Sequence, residues 1–120
     1  MNSLYIGISN ILADMKITRN LKGHAYLCDA IMIAVNDFNA VYNLSKNVYD
    51  VLAKKYDTSS GAVYSDVCYA IRTSWKTIDD DKMKKYYIKG MGACNEAPSN
   101  GRFIIEMSNA ILVRMNKEKS

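Results

Sequence analysis

The chain contains one proline and six glycines in 120 residues. So few breakers leave long stretches free to form helices and disfavour a turn-rich β architecture. No apolar run approaches the roughly 18 residues that a membrane span needs, and no basic segment followed by an apolar block opens the chain. A cytoplasmic protein with no membrane partner is the simplest expectation. The three cysteines, Cys28, Cys68 and Cys94, are odd in number and widely spaced, which fits neither a metal knuckle nor a redox pair and predicts reduced thiols. The single histidine, His24, has no Ser or Cys partner at a motif spacing, so a surface or capping role is expected. Asp79-Asp80-Asp81 lacks the alternating ligands and glycine of a calcium loop, and reads as the acidic first turn of a helix. Gly90-Met91-Gly92 is not followed by the Lys-Ser/Thr pair of a phosphate loop. No catalytic constellation emerges, and no metal, cofactor or small-molecule substrate is expected.

What is present describes a globular protein: 49% hydrophobic and 23% charged residues in 13.5 kDa, enough for one domain with a single core. The +4 formal charge and pI near 8.9 are compatible with a polyanionic partner without requiring one. Leu4, Ile8, Ile11 and Leu12 recur at helical spacing and predict a helix over 4–14. A polar connector follows, with Gly23 allowing a turn, then a helix over 24–36 with Tyr26, Leu27, Ala30, Ile31 and Ala34 inward. Residues 38–44 read as a short helical turn. A further helix is predicted from Asp79 to near Gly90, then a loop. Ser99 or Asn100 caps a last helix over 102–115, whose core stripe is Phe103, Met107, Ala110 and Ile111, and residues 116–120 are expected to fray. The predicted fold is all-α, one compact domain over 1–120 with about six helices.

Its centre, residues 46–75, has the spacing of a helix-turn-helix. A helix ends in Val51-Leu52-Ala53-Lys54-Lys55-Tyr56, and Asp57 to Gly61 make the turn and cap the next helix. Small Ala53 permits a close crossing, and Val63, ten residues on, fills it. With Val63, Val67, Ala70, Ile71 and Ser74 inward, Gly61, Ser65, Cys68 and Arg72 face outward, flanked by Tyr64 and Tyr69. The base-facing candidates are therefore Tyr64, Ser65, Cys68, Tyr69 and Arg72. Only Arg72 can offer guanine a guanidinium fork, and it lies nearly three turns into the helix. Phosphate candidates are more numerous: Lys22, Lys46, Lys54, Lys55, Lys76, Lys82, Lys84 and Lys85, with Lys89 beyond.

Several short blocks, in order and at consistent spacing, carry a family likeness. They are Leu21-Lys22-Gly23, Tyr26-Leu27, Ala30-Ile31, Asn36-Asp37, Leu52-Ala53-Lys54-Lys55-Tyr56, Val63 and Val67, Ala70-Ile71 running to Trp75, Pro98-Ser99-Asn100 and Phe103-Ile104. Over residues 8–113 the chain resembles the C-terminal DNA-binding domain of the stage-zero sporulation response regulator, the master regulator of spore formation. The resemblance implies six main helices, promoter DNA as partner and control of transcription. That regulator carries a phosphoacceptor receiver domain ahead of this one. Here Met1 leads almost directly into the first helix, so a stand-alone domain or an excised fragment is expected. The family's recognition helix carries Val-Glu-Arg-Ala-Ile-Arg, where this chain has Val63-Tyr64-Ser65-Asp66-Val67-Cys68. The buried β-branched positions are kept, as Val63 and Val67, whereas the Glu and both Arg are replaced.

Two functional readings remain open. One is a transcriptional regulator with altered or relaxed DNA specificity. The other is a degenerate relative that acts as a protein-interaction or dimerisation module, as a homodimer or paired with a full-length relative. Ile105 and Leu112, seven residues apart on the side opposite the core stripe of the last helix, are the candidate self-association patch.

Overall fold

A computed structural model describes residues 2–77 and 97–119. The expected 79–90 helix, the loop after it and the candidates Lys82, Lys84, Lys85 and Lys89 lie outside the described residues. The fold is all-α, a single compact globule, with no strand among the described residues. Helix α1 spans Ser3–Asp14, α2 Lys22–Asn36, α3 Asp50–Lys55, α4 Ser60–Trp75 and α5 Asn100–Lys119. A 3-10 turn over Phe38–Asn43 and a π turn over Ser45–Tyr49 join α2 to α3. Among the described residues no helix is long and apolar enough to cross a membrane.

Helix α2 is the central strut, packed on α1, α4 and α5. Its inward residues Leu27, Ala30, Ile31 and Ala34 are fully buried, as the periodicity predicts. Leu12 and Ile8 from α1 and Phe103, Ile104, Met107 and Ile111 from α5 close the same core. On α5 the stripe is shifted from the expected one. Ile104 is buried while Ala110 is only half-buried, and Ile105 packs against the core. Of the two capping candidates Ser99 serves, its Oγ accepting from the Arg102 N–H at 3.2 Å. The last helix is longer at both ends than the expected 102–115, running Asn100–Lys119.

Gly23 does not make the turn expected of it. It lies inside the first turn of α2, where a Cβ would sit 2.4 Å from the Asp66 carbonyl oxygen and 2.6 Å from Ala70 Cβ of α4. Only glycine lets the two helices cross this closely. His24 is likewise not on the surface. It is 4% exposed, its Nδ1 is 2.8 Å from the Ile17 carbonyl oxygen and its Nε2 2.8 Å from Ser9 Oγ. A carbonyl only accepts, so Nδ1 carries the proton that bonds it. Arg19 adds Nε to the same Ser9 oxygen at 3.2 Å and reaches Asn10 at 2.5 Å. This cluster ties α1 to the connector and the start of α2.

Both α1 and α3 end in the same hydrogen-bond pattern. Ile17 N–H bonds the Leu12 carbonyl and Lys16 N–H that of Ala13, while Thr58 N–H bonds Ala53 and Asp57 N–H bonds Lys54. Such double closure needs a left-handed residue after the cap, filled here by Lys16 at φ 73° and Asp57 at φ 52°.

Candidate nucleic-acid interface

The turn between α3 and α4 is set by that left-handed Asp57 and by Ser59, whose Oγ accepts from the Ala62 N–H at 3.0 Å. A bond from Ser60 Oγ to the Asp50 carboxylate adds a link across the motif. Helices α3 and α4 pack together, and Ala53 and Val63 are both buried. Val63, Val67, Ala70, Ile71, Ser74 and Trp75 form the inward stripe of α4, from fully buried Val63 to Trp75 at 9% exposure. The other side of the helix is thereby turned to solvent.

That side carries the five base-facing candidates together. Ser65 and Arg72 are exposed, Tyr64 and Tyr69 are 50% and 56% exposed, and Cys68 is half-buried. Tyr64 is not loose. Its ring stands edge-on to Tyr49 at 6.0 Å and 85°, and the neighbouring Cys68 thiol raises the pKa of its phenol. Tyr49 is buried, its pKa pushed up to about 12 chiefly by burial. Its hydroxyl accepts from Asn100 Nδ2 at 2.5 Å. Neither Tyr49 nor Asn100 was identified with this face from the sequence. They are 51 residues apart, and no local pattern couples them.

The lysines divide. Lys22, Lys46, Lys54 and Lys76 are exposed, and Gly23's contact with the middle of α4 brings Lys22 beside that helix. Lys55 is engaged within the fold: its Nζ is 3.0 Å from Asp29 Oδ2, which also accepts from the Tyr56 hydroxyl at 2.5 Å. Asp29 is itself buried, so Lys55 and Tyr56 together satisfy its carboxylate and link α3 to α2. Around the first turn of α4 stand the carboxylates of Asp50 and Asp57. Lys54 shares that surface with them, beside Thr58, Ser59 and Ser60.

On α5, Ile105 belongs to the core margin and Leu112 is half-buried, with Val113 beside it 45% exposed. The two candidate patch residues thus do not form one exposed surface.

A buried helix-turn-helix crossing, an outward α4 face and flanking lysines agree with the comparison with known families. The family model described as the sporulation initiation factor Spo0A C terminal matches residues 8–111. The chain belongs to this family of DNA-binding effector domains of sporulation regulators, which is not a family of enzymes.

Proposed function

We propose that this chain binds double-stranded DNA through α4 as a transcriptional regulator whose target sequence is altered or relaxed relative to the family pattern. The observation that carries this reading is the outward face of α4, which combines exposed Tyr64, Ser65 and Tyr69 with one guanidinium, Arg72. Base discrimination by bidentate guanine contact is limited to that one residue, whereas phosphate contact is open to Lys22, Lys46, Lys54 and Lys76. Binding is therefore mainly electrostatic. Four phosphate contacts correspond to a log–log salt slope of about −3.6, or roughly a hundredfold loss of affinity between 50 and 200 mM salt.

A fluorescence anisotropy titration tests this, using the family's usual promoter element and scrambled DNA of equal length across that salt range. Steep salt dependence with little preference between the duplexes is expected. Strong preference for the family's element that persists at physiological salt contradicts the altered specificity. Absence of binding to either duplex at low salt contradicts DNA binding.

The carboxylates of Asp50 and Asp57 beside the α4 N-terminus, with two half-exposed tyrosines on its face, favour a second reading. In it the domain acts by protein contact, as a homodimer or with a full-length relative. Leu112 and Val113 supply a small apolar edge for such pairing. Sedimentation of the DNA-free protein, with and without Leu112→Lys, separates this from the first reading.

A further inference from the structure

Three elements converge on one exposed side chain of α4. Asn100, in the first turn of α5, donates to the hydroxyl of Tyr49, in the π turn ahead of α3, and Tyr49 presents its ring to Tyr64. Asn100 and Tyr49 are 8% and 7% exposed, so this brace is part of the packed interior. Tyr64 is the part that emerges. A lone exposed tyrosine on a helix would sample several rotamers and lose that freedom on binding. Here the edge-on contact limits them before any partner arrives.

Half-exposed and held edge-on to Tyr49, the Tyr64 ring presents apolar carbon surface on the outward side of α4. In the major groove the apolar feature available to such a surface is the C5-methyl of thymine. Cys68 adds a soft, weakly polar sulfur to the same surface. Arg72, eight residues beyond Tyr64, lies about 12 Å further along the axis, or roughly three to four base pairs if α4 follows the groove.

We infer that Tyr64 is a specificity-determining residue which reads thymine methyl groups, that Tyr49 and Asn100 are the positioning residues that hold it, and that the preferred site pairs a thymine step with a guanine three to four base pairs away. The inference rests on the DNA-binding reading above. It narrows relaxed specificity to a particular chemistry, apolar contact in place of charged contact.

Replacing thymine by uracil removes only the methyl, which makes the test clean. The intact chain is used to select duplexes from random sequence, and the recovered duplex is then prepared with thymine or with uracil. Wild-type protein should bind the uracil form about four-fold more weakly for each contacted methyl, the value of one buried carbon. Tyr64→Ala should bind both forms equally. In Tyr49→Phe and Asn100→Ala the thymine-to-uracil ratio should fall toward one by more than affinity for random duplex falls, whereas a merely structural loss lowers both together. Thermal melts report whether either variant is loosened, and Tyr64→Leu, which keeps apolar bulk on an exposed site, should retain part of the ratio. Equal binding of both forms by wild type, or an undiminished ratio in Tyr64→Ala, overturns the inference while DNA binding stands. Failure of the wild type to bind any duplex at low salt overturns the DNA-binding reading itself, and the inference with it.

Discussion

Gly23→Ala sets two physical effects against each other, and the sign of the result decides between them. Intrinsic propensity favours alanine in a helix by up to about 1 kcal/mol, so a helix judged alone would be stabilised. The crossing says the opposite. The new Cβ would sit 2.4 Å from the Asp66 carbonyl oxygen and 2.6 Å from Ala70 Cβ. Neither neighbour is the end of a flexible side chain, so relief requires α2 and α4 to separate by roughly 1 Å in a close-packed core. Overpacking of this kind costs typically 1–3 kcal/mol, occasionally more. After the propensity gain is subtracted, a net loss of up to about 2 kcal/mol is expected. For a domain of this size that is a fall in Tm of up to roughly 12 °C. Circular dichroism melts and urea titration measure it directly. Because the displaced helix is α4, affinity for random duplex DNA should fall as well. An unchanged or raised Tm would refute the close crossing as the reason for glycine here.

Asp57→Gly relieves a left-handed backbone position and should raise stability by about 0.5 kcal/mol, read as a shift of the urea midpoint at constant slope; a lower midpoint would show that the carboxylate contributes more than the strain costs. Ser108 is fully buried on α5 and its hydroxyl has no hydrogen-bond partner among the described residues. Ser108→Ala should therefore stabilise by about 1 kcal/mol, and a destabilised variant would show that the hydroxyl is bonded. Burial pushes the Cys28 thiol up from 9.0 to about 11, so the unfolded chain loses this proton first as pH rises. Stability from this group is complete below pH 9 and declines toward pH 11; urea unfolding at pH 8 and 10.5 should show the decline, and Cys28→Ala should reduce it. Ser65→Arg with Cys68→Arg returns two guanidinium forks to an outward face whose inward side is unchanged. It should raise the ratio of affinity for the family's promoter element over scrambled DNA, and an unchanged ratio with an intact fold would mean that α4 does not enter the groove.

The local patterns were legible because their causes are local. A 3.6-residue period of apolar side chains identifies the buried side of α4 from Val63 to Trp75, and the polar run Asp57 to Gly61 locates the turn, with Ser59 as its cap. The outward positions of Tyr64, Ser65, Tyr69 and Arg72 follow from the same wheel. Position on that face says nothing about what lies beside it, which is why Tyr49 and Asn100 went unseen behind Tyr64. His24 was expected at the surface because histidine beside glycine at a helix start is usually solvated. Its two ring nitrogens are satisfied only after the chain folds Ser9 and Ile17 around it. Lys55 looked like its neighbour Lys54 until α2 brought Asp29 within 3.0 Å of its ammonium. Propensity, periodicity and capping over a few turns suffice to specify an all-helical chain with a helix-turn-helix at its centre. Which lysine pairs with a buried carboxylate, which glycine is a helix crossing and what braces the exposed tyrosine emerge from the packed core. Those depend on pairs of residues far apart in the chain, whose contact energy exists only once the core has brought them together.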